Sequence, residues 1–194
     1  MFRRVAVLAV ALSMSALAAA CTGPAPPTPT STPSPTFACI PEAGGDPVPC
    51  GPIEYEQAQK RDKLYADAEA VYRRYWAELG RISFLEKPSF TSELEATTTG
   101  AFQERARVIV DPSRHRRQLS GDVRLVRVSR LPDLSRSGST VALLLCADAS
   151  RATFLAPGES DAVAGKVYET RAYFIPVDGS LRIVDSELRE VATC

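Results

Sequence analysis

Apolar residues in the middle of the chain recur every three to four positions. Leu64, Ala68, Val71, Tyr72, Tyr75 and Leu79 lie on one stripe, which predicts an amphipathic helix. Gly51-Pro52 followed by Glu54 and Glu56 is a good start for it, because proline suits the first helical position and acids suit the first turn. Gly80 is the expected stop. Ser92-Glu93-Leu94-Glu95 reads as a capping box opening a short helix, and Phe102, Ala106 and Ile109 mark a further helical piece. Asp111-Pro112 breaks that piece and is expected to cap another turn or two ending at Gly121.

Past Gly121 the pattern changes to strands, expected over residues 122–131, 140–148, 166–176 and 180–191. In the first, Val123 and Leu125 share one face while Val126 and Val128 share the other, a slip that predicts a β-bulge. The second is apolar on both faces through Val141-Ala142-Leu143-Leu144-Leu145-Cys146, so it should be central and covered. The last two meet at Asp178-Gly179, a type I′ hairpin signal. Helices followed by a run of strands predict an α+β fold with an antiparallel sheet of about four strands.

The N-terminal residues follow neither pattern. Met1-Phe2-Arg3-Arg4 is basic, and Val5 to Ala20 is apolar and uncharged. That run is shorter than the ~20 residues a membrane span needs, and it reads as a secretory signal that is removed. Leu17-Ala18-Ala19-Ala20-Cys21 resembles a bacterial lipobox, in which the cysteine is diacylated and becomes the new N-terminus. The resemblance implies a palmitate-type lipid anchor on Cys21 and a mature protein on the outer face of the cell membrane. Ordinary cleavage after Ala18 or Ala20, without lipid, is the plain alternative. Residues 22–37, TGPAPPTPTSTPSPTF, form a proline-rich linker. At ~3.1 Å per extended residue it can hold the domain up to roughly 50 Å from the headgroups. The domain plan is a signal peptide over 1–20, lipidated cysteine and linker over 21–38, a disulfide-closed loop over 39–54, and one folded domain over 55–194.

Five cysteines, an odd number, fit this plan. Lipidation uses Cys21, and the other four suit two disulfides in an oxidising compartment. Of the three pairings four cysteines allow, Cys39–Cys50 and Cys146–Cys194 are favoured. The first closes a loop of turn formers, and the second staples a central strand to the C-terminal residues. Loop entropy assigns them about 3 and about 4 kcal/mol. A zinc site would need ligands the chain does not group: there is no CxxC, and His115 is the sole histidine. No metal and no cofactor is expected.

Composition adds a source and removes a partner. There is no asparagine, and arginine far exceeds lysine, a GC-rich pattern that with the lipobox suggests an actinobacterium. The formal charge of +0 gives no global preference for nucleic acid. Nine arginines do crowd into residues 105–136, where they outnumber the acids. They predict either a basic face for anionic lipid or wall polymer, or the wet face of a sheet through Arg124, Arg127 and Arg130.

A long helix, shorter helices and then a curved sheet resemble the NTF2-like cone, and more specifically actinobacterial lipoproteins and secreted proteins of that superfamily. The segments that carry the resemblance are Tyr65-Ala66-Asp67-Ala68-Glu69-Ala70-Val71-Tyr72-Arg73-Arg74-Tyr75-Trp76, Leu145-Cys146-Ala147-Asp148-Ala149-Ser150 and Asp178-Gly179-Ser180-Leu181-Arg182-Ile183. Leu181 stands where that group often carries tryptophan. Enzymes of the superfamily place a carboxylate or histidine and tyrosines inside the cone, which here implies Asp148 as base with Tyr72, Tyr75 or Tyr168 as donors. The plainer expectation is that Asp148 is a strand-end residue bonding backbone amides or an arginine, and that the tyrosines and Trp76 pack the core. His115, among arginines, is expected to be open to water, and no nucleophile elbow or phosphate loop accompanies it.

Two functions follow. The leading one is a non-catalytic, lipid-anchored binding or assembly module of the cell envelope, engaging an envelope protein or a small apolar ligand. The second is a cone-pocket isomerase, dehydratase or hydrolase using Asp148. A cone filled by Tyr72, Tyr75, Trp76, Phe102 and Phe174 favours the first, and an open cavity with Asp148 inside favours the second.

Overall fold

A computed structural model describes residues 36–194. The signal peptide, Cys21 and nearly all of the linker lie outside the described residues. In chain order the elements are β1 (Phe37–Cys39), β2 (Val48–Cys50), α1 (Pro52–Ser83), α2 (Ser92–Thr97), α3 (Gly100–Ile109), β3 (Arg117–Ser120), β4 (Arg124–Arg130), β5 (Val141–Asp148), β6 (Thr153–Leu155), β7 (Val163–Ala164), β8 (Val167–Val177) and β9 (Ser180–Val191).

α1 starts where its caps dictate: Pro52 lacks the N–H that a first-turn residue cannot satisfy, and Gly51 N donates to Glu54 Oε2 at 2.7 Å. It does not stop at Gly80. Glycine inside a helix costs about 1 kcal/mol, whereas burying an isoleucine yields about 1.5–3 kcal/mol. Ile82, 1% exposed, therefore draws the helix on to Ser83, and Arg81 clamps Glu78 across the last turn. α2 begins one residue before the expected cap, with Thr91 Oγ1 accepting from Leu94 N at 3.3 Å. The expected helical turns after Asp111 are replaced. Asp111 Oδ1 accepts from both Ser113 N and Oγ, making a tight turn, and the chain then pairs as β3 with the distant β6.

Among the described residues all strand ladders are antiparallel, in three sheets. The main one has four strands, as expected, in the order β4-β5-β8-β9, and β5 is central and covered as predicted. The two others, β1-β2 and β3-β6-β7, were not anticipated. Their strands are only two to four residues long, too short for alternation to register. The bulge predicted in β4 is present: the register shifts between Leu125 and Arg127, and Val126 turns outward at 53% exposure. The β8–β9 hairpin turns at Asp178 (φ 50°) and Gly179 (φ 79°), the doubly positive pair a type I′ turn needs. Both favoured disulfides are formed, Cys39–Cys50 and Cys146–Cys194.

Helices cover one face of the main sheet. Tyr72, Tyr75 and Ile82 of α1, Leu94 of α2 and Phe102 of α3 pack on Val141, Leu143, Leu145, Ala172, Phe174 and Ile183. The fold is thus α+β with an antiparallel sheet, as the pattern predicted.

Candidate functional site

Directly opposed residues in an antiparallel ladder share a face, so the register of β5 sorts the candidate residues. Leu143, Leu145 and Ala147 face the helices together with their partners Ala172, Thr170 and Tyr168. Leu144, Cys146 and Asp148 face the other way, with Arg171, Glu169 and Val167. Asp148 therefore lies on the outer face, while Tyr168 lies on the face that meets Tyr72 and Tyr75. The candidate base and the candidate donors are separated by the sheet itself.

Each is accounted for locally. Asp148 Oδ1 accepts from Ser150 N at 2.9 Å and Ser150 Oγ at 2.6 Å, and Oδ2 accepts from Arg124 at 3.3 Å. The serine hydrogen bonds, then the arginine, hold its carboxyl below the usual value. A general base working near neutrality needs the opposite shift. Tyr72 and Tyr75 are 4% exposed, and burial pushes both phenols above their ordinary value. Their rings stand 5.9 Å apart, Tyr72 stacks on Trp76 at 6.3 Å, and Tyr75 meets Phe102 at 5.4 Å. The space between the helices and the sheet is filled by these rings, with Phe174 beneath them at 0% exposure.

Of two other expectations, one is overturned and one is met in part. His115 is not open to water: it is 8% exposed, and its Nε2 lies 3.2 Å from the carbonyl of Ser83, tying the turn after α3 to the end of α1. Nor do the arginines of 105–136 form one basic face. Arg105 pairs with Asp185, Arg117 with Glu86, Arg124 with Asp148, Arg127 with Glu169, and Arg136 with Asp185 and Glu187. Arg107 lies 4.0 Å over the Phe90 ring. The β4 bulge separates the expected wet row. Arg124 and Arg127 stay on the outer face, whereas Arg130 turns to the helices, bonding Asp62 at 2.6 Å and covering Tyr65.

The least foreseeable polar site is Asp185. Strict alternation with Leu181 and Ile183 would point it into the core. A register shift between Tyr173 and Phe174 moves it to the outer face. There it is 7% exposed and accepts from Arg105, Ser137 Oγ and Ser186 N. Burial raises its carboxyl and these hydrogen bonds outweigh it, leaving the value lowered. Arg136 and Ser137 come from the β4–β5 connection, which is thereby strapped over Tyr173.

Two depressions open on the surface. One, of about 500 Å³, lies between the Cys39–Cys50 hairpin and α1, lined by Ile40, Val48, Gln57 and Arg61. The other, about 490 Å³, lies beside Asp148, Val126 and residues 192–194. Among the described residues, no group of three or more His, Cys, Asp or Glu side chains is placed to hold a metal ion. No protein-family model, curated protein or solved structure matches the chain.

Proposed function

We propose that this chain is an extracytoplasmic protein of NTF2-like cone architecture, held to the membrane by lipid on Cys21, that works as a non-catalytic binding or assembly module of the cell envelope. The observation that carries the reading is the filled interior. Tyr72, Tyr75, Trp76, Phe102 and Phe174 occupy the volume a cone-pocket enzyme keeps open, and Asp148 sits behind the sheet with its lone pairs taken by Ser150 and Arg124. Two disulfides agree with an oxidising compartment. Among the described residues no helix is long and apolar enough to cross a membrane, so attachment would fall to the lipid. A catalytic Asp148 would have to share a face with Tyr72, Tyr75 or Tyr168, and nothing in the site favours that reading.

The test pairs two substitutions in a deletion strain. Cys21→Ala should shift the protein from the salt-washed membrane fraction to the medium, because stable anchoring takes two acyl chains or more. Asp148→Asn should complement like the parent. A loss of complementation by Asp148→Asn with unchanged circular dichroism would sink the non-catalytic reading, since removing a general base typically costs about two to four orders of magnitude in rate. Retention of Cys21→Ala in membranes washed with high salt, which releases protein held by charge alone, would sink the anchor.

A further inference from the structure

Five of the exposed large apolar side chains lie on segments that meet where α1 finishes: Phe84 (51% exposed), Leu85 (41%), Val108 (46%), Ile109 (50%) and Leu119 (42%). Contacts between neighbouring residues hold these segments together. His115 Nε2 meets Ser83 O at 3.2 Å, Ser83 Oγ donates to Gln118 at 3.0 Å, and Arg107 from the end of α3 stacks on Phe90. The cations of this end divide into two kinds. Arg117 and Arg107 meet the local acids Glu86, Glu95 and Glu104. Lys87, Arg114 and Arg116 are exposed, and among the described residues none of them forms a salt bridge. Asp111, the acid beside Arg114, is hydrogen-bonded to Ser113, and Arg114 acts on it by charge without a direct bond.

We propose that this end docks on an anionic phospholipid bilayer, the three cations meeting lipid phosphates while the five apolar side chains enter the interface. Apolar side chains bordered by unpaired Lys and Arg are the chemistry that anionic membranes recognise. A protein partner would have to bring acids and a complementary apolar surface together. The inference rests on the anchored reading above only for the nearness of the bilayer, and the linker is long enough for it. Phe37 stacks on Tyr55 in the first turn of α1, 4.6 Å between ring centres, so the linker enters at the far end of that helix. α1 has 32 residues, about 48 Å at ~1.5 Å each. Linker residues 22–37 reach roughly 50 Å when extended.

The experiment uses the mature chain, residues 21–194, carrying Cys21→Ala, so that neither acyl group nor the apolar leader contributes, in co-sedimentation with vesicles. Vesicles of phosphatidylcholine with about one-third phosphatidylglycerol should bind it, phosphatidylcholine alone should not, and high salt should release it. Arg114→Gln with Arg116→Gln should weaken binding roughly tenfold or more, and Phe84→Ser with Leu85→Ser should weaken it comparably. Val48→Ser with Ile53→Ser, exposed positions around the start of α1, should bind like the parent. The proposal is overturned if the parent ignores anionic vesicles, if both end variants bind as the parent does, or if the control pair loses binding equally. Mass spectrometry of the wild-type N-terminus tests acylation separately. Absent acyl chains with vesicle binding intact would refute the anchor and support this surface.

Discussion

Removing the two disulfides separately should have unequal consequences, and the structure says which is larger. Cys146 and Cys194 are 48 residues apart and Cys39 and Cys50 are 11 apart. Loop-closure entropy makes the longer crosslink worth about 4 kcal/mol and the shorter about 3 kcal/mol. Tertiary placement widens the gap. Cys146 is 1% exposed in the central strand of the main sheet, and its loop contains β8 and β9. The β1–β2 hairpin is instead a peripheral unit, held to α1 by Arg61 bonding Ile40 O, Tyr65 bonding Glu42, and the Phe37–Tyr55 stack. It can open without exposing the core, so part of its 3 kcal/mol should never reach the global transition. Cys146→Ala with Cys194→Ala should lower global stability by about 4 kcal/mol, roughly 10 °C in Tm for a domain of this size. Cys39→Ala with Cys50→Ala should lower it by less than about 3 kcal/mol. Urea titrations followed by the single tryptophan, Trp76, report the helix–sheet interior and not the hairpin. An equal or larger loss in the Cys39/Cys50 variant would refute this account of where the stability resides.

Two further outcomes test the packing and the electrostatics. Gly165→Ala should destabilise by about 1–3 kcal/mol, because a Cβ there would lie 2.2 Å from Ala149 O. Gly80→Ala, in helix with nothing within 4 Å, should stabilise by about 0.5–1 kcal/mol, and equal effects at the two sites in thermal melts would contradict both. Hydrogen bonds from Arg81 bring the Glu78 carboxyl down from 4.5 to about 2. Because the folded group titrates below the unfolded one, its stabilisation is present above about pH 4.5 and is lost as pH falls through about 2. Glu78→Gln should therefore be less stable near neutrality and flatter across that acid window; parallel urea-midpoint curves for the two proteins would count against it.

Local patterns determined a good deal of this protein. The stripe from Leu64 to Leu79 implied α1, the two-sided apolar run at 141–146 implied a central strand, Asp178-Gly179 implied its hairpin, and the cysteine spacing favoured the pairing that is formed. Each of these depends on residues close together in the chain, or on a periodicity that burial imposes directly. Even the β4 bulge was legible, as a slip in alternation. Tertiary structure alone decided the rest. Whether α1 halted at Gly80 depended on the site waiting for Ile82. Whether residues 117–120 became helix or strand depended on β6, more than thirty residues later. The site was decided in the same way. Asp148, Tyr72 and Tyr168 are equally plausible partners in one dimension, but strand register sets the first on one face and the others on the opposite one. A one-residue register shift likewise moved Asp185 out of the core and Arg130 into contact with the helices. Sequence specifies which side chains a strand carries; pairing between distant strands decides which of them meet, because every unpaired residue turns all that follow to the other face.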